Sequence, residues 1–501
     1  MAAFLSRRTL AFGAVGATLL VQSCSGLAAS SASVKKPSSV FEELSHKLRA
    51  ITHLNRVSAL ADWDQLRSTE AALGALIARA EAEIFESERD QAVVREARKS
   101  YDRLIKIPAA LAEKKAKLAA SAYAAWAKAR AQDDFAAFAP LLAECFAVAA
   151  EVAEATREDE AELYDVALKE YELCEELFDE VQRALKPLIA RVLASPHQPS
   201  ANTLAPGAGV GVGAQLALNE QIVRDLGFAH GRIDMSVHPF TTSFSPADVR
   251  ITSRFSEGEW YQGLAGSVHE AGHAMYESAL GTSALPVDAA LSMGVHESQS
   301  LFWERHVGLS RAFWTYVGSK VRECLHVSGT DDELYSATNR VTPSLIRVEA
   351  DELTYPMHVI MRFELERALL RGEMDVDALP GAWRARMREL LQVDVPDDRR
   401  GCLQDVHWSS LAIGYFPTYL LGALMAAQLA HHMRADMPDL DAKIAAGEFG
   451  PIRAWLNERV HRHGSVPRSM DDLLERALGE PLKTKYFIAY LTDKYTELYR
   501  L

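Results

Sequence analysis

The sequence predicts a mainly α protein with a very small β-sheet, and three observations predict it. Ala, Leu, Glu, Lys and Arg dominate from Phe41 to about Ala194, with few Gly or Pro interruptions. Apolar residues recur there at helical but not strictly heptad spacing, so 109–131 and 141–168 read as long amphipathic helices packed antiparallel, not as a coiled coil. The clearest alternation of polar and β-branched residues, Asp248-Val249-Arg250-Ile251-Thr252, is short enough for a single strand of a small sheet.

In chain order, a separate leader comes first. No acidic residue precedes Glu42, Arg7 and Arg8 stand before an apolar run from Leu10 to Val21, and a Ser/Ala-rich stretch with Lys35 and Lys36 follows. Residues 1–36 therefore read as a cleaved targeting segment, its apolar run too short for a membrane span. Twin-arginine export, a lipoprotein cleavage site at Cys24 and organellar import all fit this layout. The loop 195–213 collects Pro, Gly, Asn and Ser, and helical pattern resumes near Gln215. A helix carrying His269 to His273 follows the strand, then a helix around Glu297, an aromatic and polar segment from Gly401 to Gly422, and helices to the end. We read 37–501 as one domain, with 37–194 its N-terminal helical portion and 215–501 the portion that carries the motifs described below.

Composition excludes several classes. An apolar fraction of 49% and a charged fraction of 24% are ordinary for a globular protein, and 501 residues can bury a large core. A net charge of −14 argues against nucleic acid or an anionic membrane as partner. The 5 cysteines are scattered and odd in number, so neither a disulfide scaffold nor a cysteine zinc site is indicated.

The chemistry is carried by His269-Glu270-Ala271-Gly272-His273, an HExxH pentapeptide. At about 100° per residue, His273 falls roughly 40° and Glu270 roughly 100° from His269, so one helical quadrant presents two imidazoles and a carboxylate. Two neutral imidazoles can hold Zn²⁺ while the carboxylate acts as base toward water. Leu264, Val268, Ala271, Met275 and Ala279 form the stripe that buries this helix. Gly272 costs about 1 kcal/mol relative to Ala in mid-helix, so it needs a reason such as close packing. A third ligand is required. Tyr276 and Ala279 exclude the metzincin pattern, whereas Glu297 lies 24 residues after His273, as a later-helix ligand would. Spacing alone also leaves His296, Glu304 and His306 open, although an exposed helix face is the expectation for the last two.

The chain resembles the carboxypeptidase Taq family of zinc metallocarboxypeptidases. The stretches that carry the resemblance are His238-Pro239-Phe240, Asp248 to Thr252, His269 to His273, His296-Glu297-Ser298-Gln299-Ser300, Ile346 to Tyr355, Gly401 to Trp408 and Gly414 to Tyr419. It implies a two-lobed helical protein with a deep groove, an N-terminal helical lid and a homodimeric state. It also implies release of single C-terminal residues with broad side-chain tolerance, poor action on C-terminal Pro, one Zn²⁺ per subunit replaceable by Co²⁺, and Glu297 as third ligand. Departures are Leu301 where Arg is usual, Leu411 and Ile413 before Gly414, a missing Met-Pro after Trp63-Asp64-Gln65, and a longer loop at 196–213.

Roles follow from the chemistry such an enzyme needs. Glu270 would take a proton from the attacking water and pass it to the leaving amine. His407 and Tyr419 are the candidates for stabilising the oxyanion, by similarity to helical gluzincins with a His followed about twelve residues later by Tyr; Tyr415 is the reserve. Arg347 and Arg250 are candidates for the terminal carboxylate, although Arg250 could equally pair with Asp248. Asp351, Asp405 and Asp248 could orient the ligating imidazoles. Peptides are the expected partners. A dipeptidyl carboxypeptidase or oligopeptidase on the same groove, and more remotely an inactive peptide-binding scaffold, are the competing functions.

Overall fold

A computed structural model describes residues 39–57, 63–160, 162–169, 175–205, 210–228 and 232–501. The expected leader, Cys24 and Cys174 lie outside them. Among the described residues there are nineteen α-helices and one three-stranded sheet, so the chain is mainly α.

Two apolar clusters divide the helices. The first three, Ser39–Val57, Trp63–Glu81 and Glu88–Lys106, bury Phe41, Leu44, Leu76, Ile77, Val93 and Val94 together and close on Leu285 and Val287 of the body. Ser87 starts the third by accepting from the Asp90 N–H, an N-cap that satisfies a donor the helix leaves free. Polar ties fix this layer from outside: Arg89 reaches Asp288 and Ser283, and Arg95 donates to the carbonyls of Ser465, Val466 and Pro467. Every later helix that contributes buried side chains joins one continuous core, including Trp126, Phe146, Phe178 and Val192. The apolar division thus falls near residue 106, and the helices from Ala109 to Ala194 pack as part of the main body.

The helix Ala109–Gln132 matches its expected bounds. The single helix expected over 141–168 is instead two, Phe135–Thr156 and Leu163–Lys169. Arg157 leaves helical geometry at ψ 141, and its guanidinium caps the Glu160 carbonyl across a turn carrying three consecutive acids, whose mutual repulsion disfavours a continuing helix. Phe135–Thr156 is apolar enough to cross a membrane by composition, but its Phe138, Leu142, Cys145 and Phe146 lie in the main core.

The expected strand is the centre of the sheet. β1 (Arg232–Met235) runs parallel and β2 (Phe240–Ser245) antiparallel to β3 (Asp248–Ser253), in the order β1-β3-β2. Val249 and Ile251 point into the core and Arg250 outward, the period-two alternation seen in the sequence. The sheet rests on the HExxH helix, Trp260–Ala279, where the Ser253 hydroxyl donates to the Gly263 carbonyl at 3.0 Å.

Leu44 is fully buried in the N-terminal cluster. Leu44→Ala should cost that layer about 2–5 kcal/mol. Hydrogen exchange will show faster amides across 39–106 and unchanged protection in the helix Pro417–Asp436. Equal loosening of both would mean that the layer is not a separate cooperative unit.

Candidate metal centre

Three elements meet at the site. The HExxH helix supplies His269, Glu270 and His273; the helix Met293–Leu301 supplies Glu297; and the helix Pro417–Asp436 backs Glu297 from the far side. Donor atoms of His269, His273 and Glu297 all lie within 4.8 Å of one another. Glu297 Oε2 is 3.4 Å from His273 Nε2 and 4.0 Å from His269 Nε2.

The Nδ1 side of each ring decides what its Nε2 can do. His273 Nδ1 lies 3.1 Å from the His296 carbonyl, which can only accept, so the proton sits on Nδ1. His269 Nδ1 lies 2.6 Å from Glu304 Oε2 and donates in the same way. Each Nε2 then faces the Glu297 carboxylate, and a cation that displaced any proton there would meet two ring lone pairs, the arrangement two ligating imidazoles require. Burial alone would lower the His269 pKa, but the surrounding Glu304, Glu297 and Glu270 carboxylates raise it to about 9. Burial would raise Glu297, yet the His273 hydrogen bond and the charge of His269 bring it to about 2. The pocket carries surplus negative charge around two imidazoles, which suits a divalent cation. Glu270 is not one of the converging donors. Its Oε2 accepts from the Thr241 hydroxyl of β2 at 2.6 Å, which leaves a buried carboxylate beside the trio.

Two glycines make the convergence possible. A Cβ at Gly272 would stand 2.7 Å from the Gln299 carbonyl oxygen and the Ser300 Cα, so the two helices touch backbone to backbone. A Cβ at Gly422 would stand 2.7 Å from Glu297 Cγ. Close packing is therefore why a helix tolerates Gly272.

A second group forms a wall next to the trio. His407 Nε2 is 3.1 Å from the Tyr419 hydroxyl, and Tyr419 lies one turn before Gly422 on the face turned toward Glu297. Tyr415 packs on both, 5.6 Å from the His407 ring and 5.5 Å from that of Tyr419. Burial, reinforced by Arg347, pushes His407 well below the usual imidazole range and keeps it neutral. Arg347 gives Nε and Nη2 to Asp405 and Nη1 to the Tyr355 hydroxyl, and stacks 4.6 Å from the Tyr419 ring centre.

Other candidates have different surroundings. Arg250 pairs with Asp248 at 2.8 Å on the exposed side of the sheet and stacks over Phe244. Asp351 accepts from the backbone of Thr342, Leu353 and Thr354 and from the Thr354 hydroxyl, holding the turn before the helix Tyr355–Leu370. Asp405 binds Arg347 and Arg362. The contacts to the ligating rings come from Glu304 and the His296 carbonyl, not from these three aspartates. His296 itself turns its Nε2 to Glu277 at 3.0 Å. Nor are Glu304 and His306 on an exposed face: Glu304 holds His269, and His306 is buried against Tyr490 at a ring distance of 4.4 Å. The cause is the π-helical turn Phe302–Gly308, whose extra residue shifts the face each side chain presents.

A His-His-Glu trio, two of its members buried and one half-buried, beside a further buried carboxylate outside the trio is the site of a metal-dependent hydrolase. Residues 43–495 match the family described as carboxypeptidase Taq (M32) metallopeptidase. "Thermostable carboxypeptidase 1" of Thermus thermophilus is 36% identical over 508 residues, covering 92% of this chain and 99% of that protein. "Carboxypeptidase 1" of Bacillus subtilis is 37% identical over 428 residues, covering 83% and 85%. Among solved structures, the M32 carboxypeptidase of Deinococcus radiodurans superposes with a TM-score of 0.87 at 34% identity, covering 93% of this chain and 100% of that one. Metallocarboxypeptidase 1 of Trypanosoma cruzi gives 0.83 at 32%, covering 92% and 99%. The chain belongs to the carboxypeptidase Taq (M32) metallopeptidase family. It is a metallocarboxypeptidase, a hydrolase that needs a divalent metal.

Gly422→Ala forces Glu297 aside and Gly272→Ala forces the two helices apart. Each should weaken metal binding at least ~10-fold and cost about 1–3 kcal/mol of stability. Chelator-competition titration and thermal melts measure both, and wild-type metal affinity in either variant would contradict the packing argument.

Proposed function

We propose that the protein is a zinc carboxypeptidase, one Zn²⁺ per subunit of a homodimer, that releases single amino acids from peptide C-termini. The observation that carries this reading is the convergence of two Nδ1-protonated imidazoles and Glu297, with Glu270 left over as base. His269, His273 and Glu297 would hold the ion, which when bound polarises the scissile carbonyl and acidifies water. Co²⁺ would serve in its place.

The chain's own groups do the remaining work. Glu270 takes the proton of the attacking water and gives it to the leaving nitrogen. Thr241 holds one Glu270 oxygen, which keeps the carboxylate in one orientation with its second oxygen available. His407 is held neutral, and with its Nε2 proton given to the Tyr419 hydroxyl the phenol O–H is the donor left for the developing oxyanion. Tyr415 packs this pair in place. Broad side-chain tolerance is part of the reading. A C-terminal Pro should be released poorly, since its tertiary nitrogen and fixed φ constrain how the scissile bond can lie.

An N-acyl dipeptide should lose its last residue, chelation should abolish this, and Zn²⁺ or Co²⁺ should restore it. Release of dipeptides from longer substrates would indicate the dipeptidyl alternative. Glu270→Gln should retain metal and lose about 10²–10⁴-fold in kcat. Near-normal turnover in that variant would remove Glu270 as the base.

A further inference from the structure

Among the described residues three arginines are buried, and two of them are fully partnered. Arg347 uses Asp405 and Tyr355, as above, and Arg362 uses Asp405, the His358 carbonyl and Gln404. Arg305 is different. Its residue is 4% exposed, and its Nε and Nη1 are buried with no hydrogen-bond partner. The nearest carboxylate oxygen is Glu304 Oε1, 3.9 Å from Nε, beyond hydrogen-bond reach, and the other Glu304 oxygen is committed to His269. Buried guanidinium donors left unpaired are costly, so their retention calls for an explanation such as a ligand that fills them.

Its position says which ligand. Arg305 follows Glu304 in the π-helical turn Phe302–Gly308, and its guanidinium lies 4.9 Å from the centre of the half-buried Tyr355 ring. Arg347 flanks the same ring at 5.9 Å and holds its hydroxyl. Arg305 thus adjoins Glu304, which holds the candidate ligand His269, and its ring partner Tyr355 lies 6.2 Å from the Tyr419 ring.

We propose that Arg305 receives a carboxylate of the peptide substrate; Arg347 and Arg250 each already hold a carboxylate, of Asp405 and Asp248, through Nε and Nη2. This rests on the carboxypeptidase reading. The carboxylate is either the free C-terminus or the side chain of a C-terminal Asp or Glu, which share the same chemistry.

Three N-acyl dipeptides separate these cases: one ending in Leu, its C-terminal amide, and one ending in Glu. For Arg305→Met, KM on the Leu acid should rise at least ~10-fold with little change in kcat, the acid-over-amide preference should shrink to match, and Arg305→Lys should recover part of it. A loss confined to the Glu-ending substrate would support the same contact with the acidic side chain as its source. Unchanged KM on all three would overturn the proposal. So would reduced metal affinity with an unaltered acid-over-amide ratio, since Arg305 would then serve only to support Glu304. Calorimetric binding of the Leu acid and its amide to the Glu270→Gln protein, with and without Arg305→Met, needs no turnover. It therefore tests Arg305 even if the wild-type enzyme proves to release dipeptides.

Discussion

The structure depends on how closely three helices approach one another. Gly272 lets the HExxH helix touch the backbone of the helix that carries Glu297, and Gly422 lets a third helix close over the Glu297 side chain. A methyl group at either place would collide at less than 3 Å, so the trio exists only because both residues lack a Cβ. Helix packing distances normally follow from the side chains between helices. Here the absence of side chains brings a carboxylate within coordination range of two imidazoles that belong to another element.

Charge balance around the site follows the same pattern of committed and uncommitted groups. Asp405 joins Arg347 to Arg362, and burial, which would raise its pKa, is outweighed by those two guanidinium groups, so it stays ionised. This buried cluster lies two residues before His407 and fixes the loop that presents it. Glu366 anchors the other end of that loop by accepting from the Trp408 indole, the Gly414 amide and the Tyr164 hydroxyl. His407 and Tyr419 are therefore held by a rigid frame.

Much of this could be read from the sequence, and the gaps have physical causes. Helical periodicity gave the mainly α class, and the β-branched alternation at Asp248 to Thr252 gave the sheet. HExxH gave two donors and the base because a regular helix fixes their angles. The contact of Glu304 with His269 is not legible in the sequence, where an exposed helix face is the expectation, because the chain passes through a π turn at Phe302–Gly308. A local insertion of that kind leaves no periodic trace. Asp351 and Asp405 drew attention through their motifs, but motif membership does not distinguish a carboxylate that orients a ligand from one that holds a turn or an arginine. The N-terminal layer ends near residue 106 because packing against Leu285 and Val287 sets its limit, and those residues are distant in sequence.

X-ray absorption at the metal edge of the Zn²⁺- or Co²⁺-loaded protein tests the central claim most directly. The account requires a first shell of two imidazole nitrogens and carboxylate or water oxygens, losing one imidazole in His273→Ala and a carboxylate in Glu297→Ala. A shell that keeps both imidazoles and the same oxygen count after Glu297→Ala, or that loses its carboxylate only in Glu304→Ala, would contradict it.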